Sequence, residues 1–316
     1  MENLVEYAGP ADTGGPLARL TLNSPHNRNA LSTTLVNQIH QGLRDAAADP
    51  AVRVVVLGHT GGTFCAGADL SEAGSGDSAR GDRERGAVGR SGSPPSARGD
   101  RERGAAGRSG SPPSARGDRE RGAAGRSGSP PSAYDLAVAR AREMTALLRA
   151  IVESPRPVIG AINGHVRAGG FGLIGACDMV VAGPRSTFAL TEARIGVAPA
   201  IISLTLLPKL SARAAARYYL TGETFGASEA AEIGLITLAA DDLDTAVAGL
   251  VADVGRGSPQ GLAASKALTT AAVLEGFDRD AERLTEESAR LFVSSEAREG
   301  MLAFLEKRPP SWVSSP

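Results

Sequence analysis

Four short runs rich in β-branched residues predict strands along the chain: LARLTL (17–22), VRVVVLG (52–58), PVIGAIN (157–163) and DMVVAG (178–183). Helical periodicity separates them. Leu35, Ile39 and Leu43 recur at every fourth position behind Ser32, a residue type that caps helix N-termini. Ala137, Ala141, Met144, Leu148 and Ile151 form a second stripe, stopped by Pro155 and Pro157. Strands alternating with helices imply right-handed crossovers and a sheet covered by helices. After Ala200 the pattern turns almost wholly helical, with amphipathic stretches near 200–219, 226–233, 242–255, 260–275 and 278–305. Pattern alone leaves open whether these pack on the sheet or on neighbouring subunits.

One segment breaks the pattern. RGDRERGAVGRSGSPPSA (80–97) is followed twice by RGDRERGAAGRSGSPPSA (98–115 and 116–133), and only Val88 departs from identity. Each unit carries four Arg against one Asp and one Glu, so the tract holds +6 and the other 262 residues hold −7 of the chain's −1. Lacking apolar side chains, the tract cannot offset the entropy of ordering, nor stack as a solenoid, and is expected to be disordered. An insertion in a surface loop costs little, since closure entropy grows only logarithmically with length. An Arg-rich nucleic-acid tether is opposed by the interleaved acids and missing aromatics, and an RGD adhesion role by the absence of an export signal. The expected organisation is a discontinuous core of 1–79 and 134–255, the 80–133 insertion, and a helical C-terminal region of 256–316.

Composition narrows the classes. An apolar content of 42% supports a sizeable core in 316 residues, and near-neutral charge offers no overall attraction to nucleic acid or an anionic membrane. No uncharged apolar run reaches the ~18 residues of a membrane span. The opening MENLVEYAGP has no basic head before an apolar stretch, so a cytoplasmic location is expected. Cys65 and Cys177 stand far apart without metal-ligand spacing, which fits a reduced compartment and no metal.

Candidate chemistry lies in two glycine-containing loops that follow strands, HTGGTFCAGADL (59–70) and NGHVRAGGFGLIGACD (163–178), the second opening a helix. Neither has P-loop or GxGxxG spacing, which sets nucleotide binding aside. GGFG by itself can merely press a helix against a sheet. Two strand-end loops with exposed backbone N–H groups, one at a helix N-terminus, are what an oxyanion hole requires.

FCAGADL (64–70), INGHVRAGGFGLIGACDMVVAG (162–183), FALTEARIGV (188–197) and LTGETFGASEAAEIGLI (220–236) resemble successive blocks of the crotonase, or enoyl-CoA hydratase/isomerase, family. NRNALS (27–32) and FLEKRPPSW (304–312) do so too, and the likeness covers all but the tract. The resemblance implies an α/β fold, a spiral of ββα units with a helical C-terminal region. It implies homotrimers or hexamers acting on acyl-CoA thioesters, with CoA carried in as part of the substrate and no separate cofactor.

By the same resemblance, the backbone N–H groups of Ala68 and Gly169 bond the thioester oxygen and stabilise an enolate, worth about 3–4 kcal/mol each. Gly169 is then expected to tolerate replacement least. His26 and Arg28 line the adenine and pantetheine path, Ala66, Asp69 and Leu70 complete the CoA contacts, and Lys307 with Arg308 reaches the phosphates of CoA on a neighbour. Hydratases of the family place two glutamates about one water. Gly172 stands where the first belongs, and the second survives as Glu192. This combination is most similar to the methylglutaconyl-CoA hydratase-like branch, whose substrates are branched and can carry a distal carboxylate; Arg194 or Arg167 can pair with one, with plain solvation as the competing reading. A hydro-lyase acting on a short or branched 2-enoyl-CoA is the leading expectation, with a one-glutamate isomerase and a non-catalytic acyl-CoA-binding protein as alternatives. His59 and His165 are expected to orient loops, Asp178 and Glu223 to cap or hydrogen-bond, and Cys65 to pack.

Overall fold

The computed structural model describes residues 2–69 and 130–314. Residues flanking the repeats belong to one compact unit, Met1–Gly74 with Pro131–Pro316. Residues 80–129 of the tract lie outside the described residues.

A six-stranded sheet forms the base, in the order β1 (Val5–Ala8), β2 (Leu17–Leu22), β3 (Val54–His59), β5 (Val158–Ile162), β7 (Met179–Ala182) and β10 (Leu238–Ala239). Only the β1–β2 pair is antiparallel. Parallel strands are covered on both faces, which explains their continuous apolar runs. Val55 and Leu57 of β3 face the main core, with Leu35 and Ile39 of the helix Thr33–Ala48 and Leu148 and Ile151 of the helix Ala133–Glu153. Val54 and Val56 face the opposite way, against Val247 and Val251 of the helix Leu243–Gly255.

A second, smaller sheet orders β4 (Thr63–Cys65), β6 (His165–Arg167), β8 (Thr187–Ala189) and β9 (Phe225–Gly226). The chain alternates between sheets, β3 to β4, β5 to β6, β7 to β8, in the spiral of ββα units that the resemblance implies. Pattern reading misses the small sheet because three-residue strands among glycines leave no periodicity to detect.

Taking the helices in chain order, α1 is Pro10–Thr13, α2 Thr33–Ala48, α3 Ala133–Glu153, α4 Gly169–Ala176, α5 Ser203–Leu206, α6 Ala212–Thr221, α7 Ala227–Glu232, α8 Leu243–Gly255, α9 Pro259–Phe292 and α10 Ser295–Leu305. Ser32 caps α2 through the Leu35 N–H. The last repeat supplies the start of α3, where Ser132 and Asp135 form a reciprocal capping box. Two helical expectations are corrected. The 200–219 stretch divides into α5 and α6, since Pro208 lacks a donor and Ser211 starts a new cap at the Ala214 N–H. The 260–275 and 278–305 stretches merge into α9, with Phe277 buried, and the break falls later, where Ser294 caps α10.

One buried ion pair fixes α9 to the sheet. Lys266 Nζ lies 2.7 Å from Asp178 Oδ2 and donates to the carbonyls of Ile151 at 2.9 Å and Arg156 at 3.2 Å. Asp178 Oδ2 also accepts the Val158 N–H at 2.7 Å, so the carboxylate joins β5, the entry to β7 and α9. Removing one partner of such a pair leaves the other charge desolvated and alone, which costs more than the pair contributes. Lys266→Met is expected to lower the unfolding free energy by about 3–5 kcal/mol in denaturant titrations. Asp178→Asn in the same chain should recover part of that loss.

Candidate active site

Strands β4 and β6 run parallel with Thr63 opposite His165 and Cys65 opposite Val166, so the turns leaving their C-terminal ends meet. The segment before α2 straps the first turn. Ala66 N–H donates to Arg28 O at 3.1 Å, Leu31 N–H to Gly67 O at 2.7 Å, and Asp69 N–H to Leu31 O at 3.3 Å. Ala68 bridges to Leu31 between these bonds, and in a parallel ladder its own N–H then points away from the partner. No acceptor takes that N–H among the described residues. On the second turn Gly169 opens α4, where the first N–H groups have no intrahelical partner and the helix dipole is positive. Two free donors thus stand on touching turns.

How closely they touch is set by Gly67. A Cβ there would lie 2.6 Å from the Ala168 Cβ and 3.4 Å from the Gly169 nitrogen, and its φ of +100° disfavours any side chain. Ala168 has φ 44° and ψ −120°, a conformation that costs a non-glycine residue about 1–3 kcal/mol and persists where its surroundings fix it. At Gly169 a Cβ would meet the flexible Leu31 Cδ1 at 2.9 Å with φ unrestrained, so the steric demand is sharper at Gly67 than at Gly169, where the sequence reading put it.

Glu192 begins the 3₁₀ turn Glu192–Ile195 that follows β8. It is 8% exposed, and its Oε2 has no hydrogen-bond partner. Burial pushes the carboxyl up to about 7, against a hydrogen bond from its own backbone that lowers it. Gly172, on α4, is not an open slot for a second carboxylate. A Cβ there would meet Ile202 Cγ2 at 2.7 Å, Met144 Cε at 2.9 Å and Leu148 Cδ1 at 3.0 Å. The wall is apolar and filled.

Beside the turns, a pocket of about 420 Å³ is lined by Arg28, Thr63, Ala66, His165 and Arg167. Arg167 donates only to neutral acceptors, the carbonyls of Val166 and Thr187 and the Thr187 hydroxyl, and burial pushes its guanidinium down. Among the described residues that line it there is no carboxylate, and two are arginines.

The structure thus brings Arg28 and Ala66 together. His26 is exposed, its Nε2 3.5 Å from Ser24 Oγ, and Asp69 accepts from Asn27 Nδ2 at 3.3 Å. Leu70 lies outside the described residues. Lys307 is exposed beyond α10 and lines no part of the pocket, while Arg308 is held by Glu299 at 2.7 and 2.9 Å. Arg194 is occupied, donating from Nε and Nη2 to Thr221 O at 3.1 and 2.8 Å. His59 Nε2 accepts the Asn163 N–H at 3.1 Å and so ties β3 to the β5–β6 turn, and His165 Nδ1 lies 2.7 Å from Thr187 Oγ1. Glu223 pairs with Arg217. Burial pushes the Cys65 thiol up to about 12, which leaves it unreactive. Among the described residues no group of three or more His, Cys, Asp or Glu could hold a metal ion.

Asn29 escaped the sequence reading as an individual residue. Fully buried at φ 53°, it accepts the Ser24 N–H at 2.7 Å and donates to Thr60 O at 3.1 Å and Thr63 O at 2.8 Å, fixing the strap against β4. The tolerance of Asn for left-handed backbone was the available signal. Ser203 and Tyr219, whose hydroxyls lie 3.1 Å apart, also went unread, since a helical serine and tyrosine carry no motif. Because the donors depend on the contact of the two turns, Gly67→Ala is expected to lower kcat/KM roughly 100-fold or more while thermal unfolding stays cooperative.

The enoyl-CoA hydratase/isomerase family matches residues 12–88 and 134–315, passing over most of the repeats. A crystal structure of an enoyl-CoA hydratase from Mycobacterium avium is 67% identical, with 99% of this chain and 100% of that one covered and a TM-score of 0.78. Mevalonyl-coenzyme A hydratase sidH of Aspergillus fumigatus is 28% identical over 301 residues, 94% of this chain and 91% of the relative. Carnitinyl-CoA dehydratase of Escherichia coli K12 is 33% identical over 178 residues, 52% of this chain and 66% of the relative. With the alternating sheets and paired turns already in place, the chain belongs to the enoyl-CoA hydratase/isomerase family and has the crotonase fold.

Proposed function

We propose that this protein is a hydro-lyase that adds water across the double bond of a short or branched 2-enoyl-CoA, using Glu192 as its single acid–base group. The observation that carries the reading is a buried carboxyl near neutrality with one oxygen unpartnered. A general acid–base works best with its pKa near the operating pH, because both protonation states are then accessible.

The step balances with one carboxyl. As the water oxygen bonds to the β-carbon, ionised Glu192 takes a proton from it, and the double-bond electrons move onto the thioester oxygen. The Ala68 and Gly169 N–H groups and the α4 dipole stabilise that enolate. Neutral Glu192 then returns the proton to the α-carbon. The filled wall around Gly172 favours single-carboxyl chemistry and keeps an enoyl-CoA isomerase as the second reading, with Glu192 moving a proton between carbons.

The pocket suits the phosphate-bearing end of CoA, with Arg28 and Arg167 as donors and Ala66 close by. Placement in the methylglutaconyl-CoA-like branch rests on the stretches GGFGLIGACD (169–178) and LTEARIGVAPAIIS (190–203). Trimers, or hexamers, and a cytoplasmic location belong to the same reading. In support of assembly, Leu302, Phe304, Leu305 and Trp312 near the C-terminus expose 45%, 64%, 67% and 43% of their surface.

Glu192→Gln is expected to lower kcat at least ~100-fold, measured as loss of enoyl-thioester absorbance on crotonyl-CoA. The wild-type rate should climb with pH through about 7 as the carboxyl ionises. Stability should move oppositely. A raised carboxyl pKa means the folded state holds the proton between about pH 4.5 and 7 while the unfolded chain has lost it, so wild-type stability falls across that window. Glu192→Gln should be free of that decline, opening a gap of up to about 3 kcal/mol in its favour. Full turnover in this variant would remove the acid–base assignment. For the pocket, Arg167→Gln should raise KM for crotonyl-CoA roughly tenfold and leave KM for crotonyl-pantetheine unchanged. Equal effects on the two thioesters would take the phosphates out of this pocket.

A further inference from the structure

Glu192 Oε2 is buried without a partner, an arrangement that costs about 1–3 kcal/mol unless something occupies the gap. With Gly172 walled off by Ile202, Met144 and Leu148, no second carboxylate can hold a water there. Ile202 adjoins Ser203, and the Ser203 hydroxyl lies 3.1 Å from that of Tyr219 on α6. Its helix is clamped to the turn that carries Glu192, since both Arg194 donors go to Thr221 O, two residues beyond Tyr219. Burial first, and the Glu192 charge as well, push the phenol up to about 12.

Counting protons fixes the phenol's role. Ser203 Oγ donates to Pro199 O at 2.7 Å, and a serine hydroxyl has one proton. At 3.1 Å from Tyr219 Oη, Ser203 Oγ must therefore accept there, so the phenol proton is spent on Ser203. The lone pairs of Tyr219 Oη are left to accept.

We infer that Tyr219 is a water-positioning residue: its phenol oxygen and Glu192 Oε2 accept the two protons of the attacking water, whose own lone pair then faces the β-carbon of the enoyl group. The inference rests on Glu192 being the base. One proton passes to Glu192 as the C–O bond forms, and the hydrogen bonded to Tyr219 remains as the proton of the product hydroxyl. Tyr219 stays neutral throughout. In this arrangement a neutral oxygen, oriented by Ser203, takes the place of the family's first glutamate.

Hydration and α-proton exchange separate the two residues, because exchange on a saturated thioester needs the base and the oxyanion donors but no attacking water. Tyr219→Phe is expected to lower kcat for crotonyl-CoA hydration at least tenfold, with KM changed less than twofold and deuterium exchange into butyryl-CoA from D₂O within twofold of wild type. Ser203→Ala should lower hydration in the same direction, since the released phenol proton then points at the water. Hydration at the wild-type rate in Tyr219→Phe, or equal loss of hydration and exchange, would overturn the inference. Wild-type exchange in Glu192→Gln would instead overturn the base assignment on which it stands.

Discussion

Everything at the site depends on two three-residue strands, β4 and β6, ending side by side. Parallel pairing sends both chains out in the same direction, so the turn after Cys65 and the turn after Arg167 meet at one edge of the small sheet. A free backbone N–H is costly in a buried setting and is normally consumed by a ladder or a helix. Here the ladder to Leu31 turns the Ala68 donor outward, and the start of α4 leaves that of Gly169 without an intrahelical acceptor. The polarity at these turns thus comes from main chain held by ordinary secondary structure. Side chains at these positions matter by being small.

Buried charge is handled in two opposite ways. Lys266 and Asp178 are desolvated together, with the carbonyls of Ile151 and Arg156 and the N–H of Val158 compensating them. Nothing compensates Glu192 Oε2. Proton affinity follows from the difference, because an unpaired buried carboxyl is easier to protonate than a paired one.

Much of this was legible in the chain. Leu17–Leu22 and the stripes of α2 and α3 follow from periodicity, and the prolines after Glu153 mark where α3 ends. The family blocks pointed to Ala68, Gly169 and Glu192 as candidates, of which the first two stand on adjoining turns and the third is buried. What stayed hidden has a common cause: it depends on contacts between segments distant in sequence. Three-residue strands are too short to show alternation, Asn29 acts through carbonyls more than thirty residues away, and Tyr219 reaches Ser203 across two helices. Likewise the continuity of α9 is decided by its packing against α3 rather than by propensity.

Gly172 shows how a lost residue reorganises its neighbours. A glycine replacing a glutamate would leave a void wide enough for water, yet Ile202, Met144 and Leu148 close on the position from two other helices. Met144 and Leu148 lie on α3, the helix that begins where the repeats end. That helix takes its Ser132 cap from the last repeat, and beyond the tract it is held by pairs from Arg142 to Glu282 and from Arg149 to Asp278 on α9. An insertion between the first turn and α3 therefore need not disturb the wall it leads into, because the wall's position is set from α9. Restoring a glutamate at Gly172 alone would place its carboxylate against three apolar side chains, where desolvation would keep it neutral. Among the described residues Glu192 is the buried carboxyl, and the apolar wall at Gly172 adds no second one.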